Sequence, residues 1–273
     1  MPNKLSQYKF YLLRHGESIW NREKKFTGWT NVPMTSRGIN QSNLAFNIIK
    51  EHNLKPTVIY TSQLDRALHT SCIIKKQVNN HKNDHENNIS IIQNWRLNEK
   101  NYGSLEGMEH TEFENSYGKT ELNNVIYKFE HPIPLVRNIF YDRNYQPLIN
   151  KYIYSNDKLN KSYEVINLYS LFNSSYKPYH NYYLKHLFNG ETNKVVMDRV
   201  LFYFNHAIFP GMKKGEVPLI ISHKHVGRVM MKHFLNMNND IFEKYEFYQN
   251  ELYEITIDEN KNLKSINSIK IIE

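Results

Sequence analysis

Cysteine is all but missing: Cys72 is the one cysteine in 273 residues. That excludes any internal disulfide framework and fits a reducing compartment. Long apolar runs are missing too. No stretch reaches the roughly 18 apolar residues that a membrane-spanning helix requires. The opening MPNKLSQYKF has neither the apolar segment nor the cleavage site of a secretory signal. A soluble, cytoplasmic protein is therefore expected. The net charge of +8 raises the question of nucleic acid. Yet the lysines and arginines are scattered, with no arginine-rich arm, zinc-finger spacing or RNA-binding aromatic signature. Neither nucleic acid nor a membrane is expected as a partner, and a basic chain steers a small anionic substrate equally well.

What is present is an alternation of strand and helix patterns. YKFYLL (8–13) is a short apolar run, a strand. A helix follows from an N-cap at Thr35 or Ser36, with Leu44, Ala45, Ile48 and Ile49 on one face. TVIYTS (57–62) is brief and β-branched, and residues 63–78 place Leu64, Ala67, Leu68 and Cys72 at helical spacing. A polar loop (79–88) leads to a third strand, 89–95. Residues 193–212 form a long helix closed by Pro210 and Gly211; VPLIIS (217–222) is a fourth strand, 226–235 a helix behind it, and 252–272 a closing hairpin or strand pair. This order predicts an α/β three-layer sandwich, a mostly parallel twisted sheet with helices on both faces. We read one domain over 1–273, interrupted at about 135–184 by a segment crowded with Tyr, Asn and Lys. Its aromatic content is too high for a solvated linker, which suggests an ordered excursion such as a lid or a subunit contact.

In parallel sheets ligands sit beyond the carboxyl ends of the strands. His15 follows the first strand, Ser62 and Arg66 the second, Glu99 the third and His223 the fourth. The topology would gather all of them at one edge. The Arg14–His15 pair, ending a buried strand, suits an anion. Trp20 and Trp29 read as packing residues. The HKH run at 223–225 lacks the carboxylate or Cys partner that would make a metal site of it, so no metal is expected.

Five blocks then carry a resemblance: LLRHGESIWN (12–21), FTGW (26–29), YTSQLDRALHT (60–70), WRLNEKNYGSLEG (95–107) and LIISHKH (219–225). In order and approximate spacing they resemble the histidine phosphatase superfamily, specifically the cofactor-dependent phosphoglycerate mutases. The likeness is close over residues 8–118 and looser over 190–258. It implies His15 as a nucleophile that becomes phosphohistidine, with Arg14, Arg66 and His223 around the phosphoryl oxygens and Glu99 as proton donor to the leaving oxygen. Cations depress a carboxyl, so burial would have to offset them for Glu99 to hold a proton near pH 7. Gly16 would let the backbone pass close to the phosphate. Asn21, Thr27, Gly28 and Tyr102 would line the substrate side. The family commonly forms homodimers or homotetramers.

The departures from the mutase pattern concern the product. Mutases have Gly-Asn after the second histidine where this chain has Lys224 and His225, a lysine where it has His110, and two substrate-clamping arginines where it has Ile126 and Tyr127. The chain ends at SIKIIE, without the mutase tail. Lys224 or Arg137 would have to replace the lost arginines, and the insertion the lid. The leading expectation is a phosphatase of phosphomonoesters, on a small phosphorylated metabolite or a phosphoprotein, with residual mutase activity and no required cofactor. A phosphoglycerate mutase primed by 2,3-bisphosphoglycerate is the alternative. A non-enzymatic phosphate-pocket scaffold is a third reading, disfavoured because His15, Arg14, Arg66, Glu99 and His223 are all present.

Overall fold

The computed structural model describes residues 6–80, 89–134 and 190–272. The 135–184 excursion, Arg137 and most of the 79–88 loop lie outside them.

Strands β1 (Gln7–Arg14), β2 (Val58–Thr61), β3 (Ser90–Gln93), β4 (Pro218–Ser222), β5 (Glu251–Asp258) and β6 (Leu263–Lys270) form one sheet in the order β3-β2-β4-β1-β5-β6. β1, β2, β3 and β4 pair in parallel, whereas β5 runs antiparallel to both its neighbours. The expected hairpin is the β5–β6 pair.

Period-two alternation sends successive strand residues to opposite faces, and each face has its own core. Phe10, Leu12, Tyr60, Ile220 and Ile255 join one cluster; Tyr11, Leu13, Ile59, Ile221 and Leu252 join the other. The second face is covered by α2 (Ser36–Glu51) and α3 (Asp65–Asn80), the first by α6 (Asn193–Tyr203) and α8 (Lys224–Phe234). The three-layer α/β sandwich is therefore observed. Thr35 is the α2 N-cap, its hydroxyl accepting from Gly38 N–H. Leu64, just before α3, and Ala67 and Leu68 on it are buried as expected, while Cys72 is only half-buried and Ser71 and Ile74 lie inside.

Several elements escaped the periodicity. A short helix α1 (Ile19–Arg22) follows β1, and α4 (His110–Tyr117) and α5 (Lys119–Tyr127) build a third small core of Phe26, Tyr102, Leu105, Phe113, Val125 and Ile126. Pro210 does not close the 193–212 helix. The chain widens into a π turn at Phe204–Ile208, and Pro210 sits at the start of α7 (Phe209–Lys213). A proline has no N–H and crowds the carbonyl four residues back, and the wider turn accommodates both. α8 begins at Lys224, directly after the strand, rather than at Val226, and α9 (Asn239–Lys244) follows it. No helix among the described residues is long and apolar enough to cross a membrane.

Candidate active site

Parallel pairing of β1, β2 and β4 places His15, Ser62 and His223 at neighbouring strand ends. The ladder even continues one residue, His15 N–H donating to Ser222 O at 2.9 Å. Arg66 comes from the first turn of α3, and Glu99 from the loop after the single turn Trp95–Leu97 that ends β3.

His15 is buried, and its Nδ1 lies 2.6 Å from the Gly16 carbonyl oxygen. A carbonyl only accepts, so Nδ1 carries the proton and Nε2 keeps a free lone pair. Burial first, then Arg66 and Arg14, push the imidazole well below its usual range, so it is neutral at pH 7. His223 packs edge-on against it, ring centroids 4.8 Å apart. The Ser62 hydroxyl accepts from Leu64 N–H and lies 2.8 Å from His223 Nε2. Donating its own proton there leaves the His223 proton on Nδ1. Burial, reinforced by Arg66 and His15, keeps this ring neutral as well.

Arg66 is locked by two carbonyls: Nη2 donates to Gly28 O at 2.8 Å and Nη1 to Thr30 O at 3.0 Å. Burial lowers its guanidinium to about 10, so it stays charged. Arg14 is likewise lowered by burial, against the pull of Glu99 and Glu246. Among the described residues, Arg14 Nε, Arg66 Nε and His223 Nδ1 are buried nitrogens with no hydrogen-bond partner. An uncompensated buried donor costs on the order of 1–3 kcal/mol, more when charged. Here all three belong to residues that act on or pack against His15. The arrangement suits an anion with several oxygens, and a phosphoryl group has them.

Glu99 is 7% exposed. Its Oε1 accepts from Lys100 N–H (2.8 Å), His225 N–H (3.1 Å) and His225 Nδ1 (3.1 Å), which leaves Oε2 for substrate. Burial raises its carboxyl, but His225, His223 and the Lys100 amide together outweigh that and hold it well below the carboxylate range. Part of the cause is a helix end: His225 N–H is a first-turn amide of α8, where negative charge is favoured. The burial that would have to offset the cations for Glu99 to hold a proton is outweighed here, and the carboxyl is ionised until something anionic arrives.

The remaining sequence candidates fall into supporting places. Asn21 and Ser18 cap α1 reciprocally: Ser18 N–H donates to Asn21 Oδ1 and Asn21 N–H to Ser18 Oγ. Thr27 is buried with its hydroxyl on Lys25 O. Gly28 has φ +53°, and a Cβ there would overlap the Glu106 carboxylate, which pins the loop by accepting from Trp29 N–H, Thr30 N–H and Tyr102 N–H. Tyr102 is buried against Phe26 with its hydroxyl 3.2 Å from His225 Nε2. Lys224 is paired with Glu246 at 2.9 Å. Gly16 has a packing reason besides the one expected: a Cβ would strike the Gly38 carbonyl oxygen at 2.1 Å, so it seats the end of β1 against α2.

Sequence reasoning missed four contributors. His225 holds Glu99. Trp29, read as packing, donates its indole N–H to Glu99 O at 2.6 Å. The buried Arg199–Glu191 pair (2.8 Å) braces the same carbonyl, through Arg199 Nη2 at 2.8 Å. Glu246 reaches Lys224 from 22 positions away. Trp29, inside the FTGW block, and His225, inside LIISHKH, carried a local signal; the others did not.

Comparison with known proteins agrees with this geometry. Residues 10–132 match the model of the histidine phosphatase superfamily (branch 1). The chain is 31% identical over 235 residues to the 2,3-bisphosphoglycerate-dependent phosphoglycerate mutase of Wigglesworthia glossinidia brevipalpis, covering 86% of each chain. It is 29% identical over 256 residues to such a mutase from Bacteroides thetaiotaomicron, covering 93% of this chain and 89% of the relative. In fold it superposes on a mycobacterial glucosyl-3-phosphoglycerate phosphatase with a TM-score of 0.61 at 11% identity, over 96% of this chain and 97% of the other. The chain is an enzyme of the histidine phosphatase superfamily and belongs with its cofactor-dependent phosphoglycerate mutase family.

Proposed function

We propose that this enzyme hydrolyses phosphomonoesters through a phosphohistidine at His15. The observation that carries the reading is a neutral His15, its proton held on Nδ1, set among Arg14, Arg66 and His223, whose Nε and Nδ1 nitrogens are buried and unpartnered. A phosphoryl group in transfer spreads charge over three equatorial oxygens, so fixed cationic donors stabilise it directly. His15 Nε2 attacks phosphorus, the ester P–O bond breaks, and the Gly16 carbonyl supports the imidazolium that forms.

The leaving oxygen takes a proton from Glu99. That proton enters with the substrate: a phosphomonoester has its second pKa near about 6 and arrives partly as the monoanion. It hands the proton to the ionised Glu99, whose carboxyl rises once a dianion lies beside it. Glu99, again a carboxylate, then accepts a proton from water as the water attacks the phosphohistidine and the P–N bond breaks, and it passes that proton on to the departing phosphate, which leaves as the monoanion; His15 is again neutral and Glu99 again ionised. The steps balance without a metal or an external cofactor.

Hydrolysis is favoured over intramolecular transfer because the leaving-group side offers little to a second anionic group. Ile126 is buried, and its carbonyl accepts from Asn193 Nδ2 and Arg228 Nη1. His110 stacks on Phe26 at 4.5 Å and is lowered by burial to about 4, so it is neutral. The second reading is a mutase primed by 2,3-bisphosphoglycerate, and its support is the name shared by relatives at about 30% identity. Supplying 3-phosphoglycerate with 2,3-bisphosphoglycerate and measuring 2-phosphoglycerate against inorganic phosphate separates the two. Phosphate release is expected to dominate; isomerisation far outpacing it would replace the phosphatase reading with the mutase one.

A further inference from the structure

Beside the phosphate pocket lies a second group of side chains in which charge is internally cancelled. Lys224, the first residue of α8, places its Nζ 2.9 Å from Glu246 Oε2, 3.4 Å from the Tyr127 hydroxyl and 4.8 Å from the centre of the Tyr127 ring. Tyr127 also shares a hydrogen bond with Glu246. The group adjoins the phosphate pocket: Glu246 and Lys224 both act electrostatically on, or are acted on by, Arg14. His110, near Lys224, is uncharged at neutral pH. The other nearby cation, Arg228, is held by four carbonyls, those of Ile126, Tyr127, Phe242 and Tyr245, and lies under the Tyr127 and Phe242 rings.

Burial, against the pull of Lys224 and Tyr127, does not stop Glu246 from being lowered below the usual carboxylate range, so it is ionised beside the ionised Lys224. Tyr127 is pushed up to about 12 and stays neutral. The wall therefore presents one ammonium, one carboxylate and one phenol with no net charge. A substrate hydroxyl can donate to Glu246 and accept from Lys224 or Tyr127 at once. A substrate carboxylate would have to displace Glu246 from Lys224 or lie beside it, and like charges in a half-buried site repel strongly.

We infer that Tyr127, Lys224 and Glu246 form the leaving-group subsite and select phosphomonoesters of uncharged, hydroxyl-bearing alcohols (polyols and sugars) over esters whose alcohol carries a carboxylate. The inference rests on the phosphatase reading of the same site and names its substrate class. Glu246 is the discriminating residue, because it turns a lysine that would attract an acidic substrate into half of a neutral pair.

The test uses two esters that differ at one carbon. Glycerol 3-phosphate ends in CH2OH where 3-phosphoglycerate ends in a carboxylate. The full-length protein should show kcat/KM for phosphate release at least about tenfold higher with glycerol 3-phosphate. Glu246→Gln, a substitution at a half-exposed position that keeps the side-chain shape, should bring the ratio down to near one by freeing Lys224. The same ratio is read without turnover by calorimetric titration of both esters into His15→Ala, alone and combined with Glu246→Gln. If the wild-type protein releases phosphate from neither ester, the phosphatase reading fails while the affinity ratio still decides the subsite. Equal or tighter binding of 3-phosphoglycerate to His15→Ala, or a ratio that Glu246→Gln leaves unchanged, overturns the inference.

Discussion

The two sides of the site treat charge in opposite ways. Around His15, Arg66 is buried and Arg14 half-buried, each with a buried Nε left unpaired, and among the described residues neither forms an ion pair with a carboxylate. Across α5 and α8, the cations nearest the site are each held: Lys224 by Glu246, and Arg228 by a ring of carbonyls. The first arrangement is costly for the empty protein, since a buried unpaired charge destabilises by several kcal/mol. It is useful only if an anion comes to share it. The second is self-sufficient and gains little from an anion. On the reading proposed above, one side binds the transferred group and the other judges what it was attached to.

The sharpest way to break this contrast is at the nucleophile. His15→Ala should lower turnover on any phosphomonoester by more than about a thousandfold, with radiolabel transfer to the protein lost in parallel. Appreciable residual turnover would mean that another group accepts the phosphoryl. Arg66 comes next. Arg66→Lys keeps the charge but loses the fork that donates to Gly28 O and Thr30 O and leaves Nε unpartnered. Steady-state kinetics should show kcat/KM reduced roughly a hundredfold to a thousandfold; a change confined to KM would show that the fork binds substrate without stabilising the transition state.

The smallest effect sharpens the role of His225, a positioning residue that acts through Glu99. Its Nδ1 contact helps to hold the Glu99 carboxyl down. Without the imidazole the carboxyl rises toward its ordinary value, so Glu99 is protonated sooner as pH falls. The acid limb of kcat/KM in His225→Ala should therefore move to higher pH, by on the order of one unit. His225→Asn, whose amide can still donate, should restore the wild-type limb. A lower rate with an unmoved limb in both variants would reduce His225 to packing.

Much of the fold was legible because it is written in short-range patterns. The β-branched and apolar runs at β1, β2 and β4 could be buried only as parallel strands covered on both faces. Knowing that ligands lie beyond their carboxyl ends sufficed to gather His15, Ser62, Arg66, Glu99 and His223. Other parts had no such signature. α4 and α5 carry few apolar residues in a short span, and their burial depends on Phe26 arriving from a distant loop. The π turn before Pro210 answers a steric conflict that periodicity does not register. Gly16 was read from its neighbour in sequence, His15, and the further atom that excludes a Cβ, the Gly38 carbonyl oxygen on α2, could not be read there.

The sequence by itself determined the sheet, the edge at which chemistry gathers and the family to which the chain belongs, because these follow from local hydrophobic period and from motifs whose residues lie close along the chain. Only the tertiary structure decided the protonation and the pairing. That His15 holds its proton on Nδ1, that Glu99 is ionised against the start of α8, and that Glu246 neutralises Lys224 are matters of distance and burial between residues far apart in the chain. Electrostatic free energy depends on separation and solvent exposure, and neither is written in residue order.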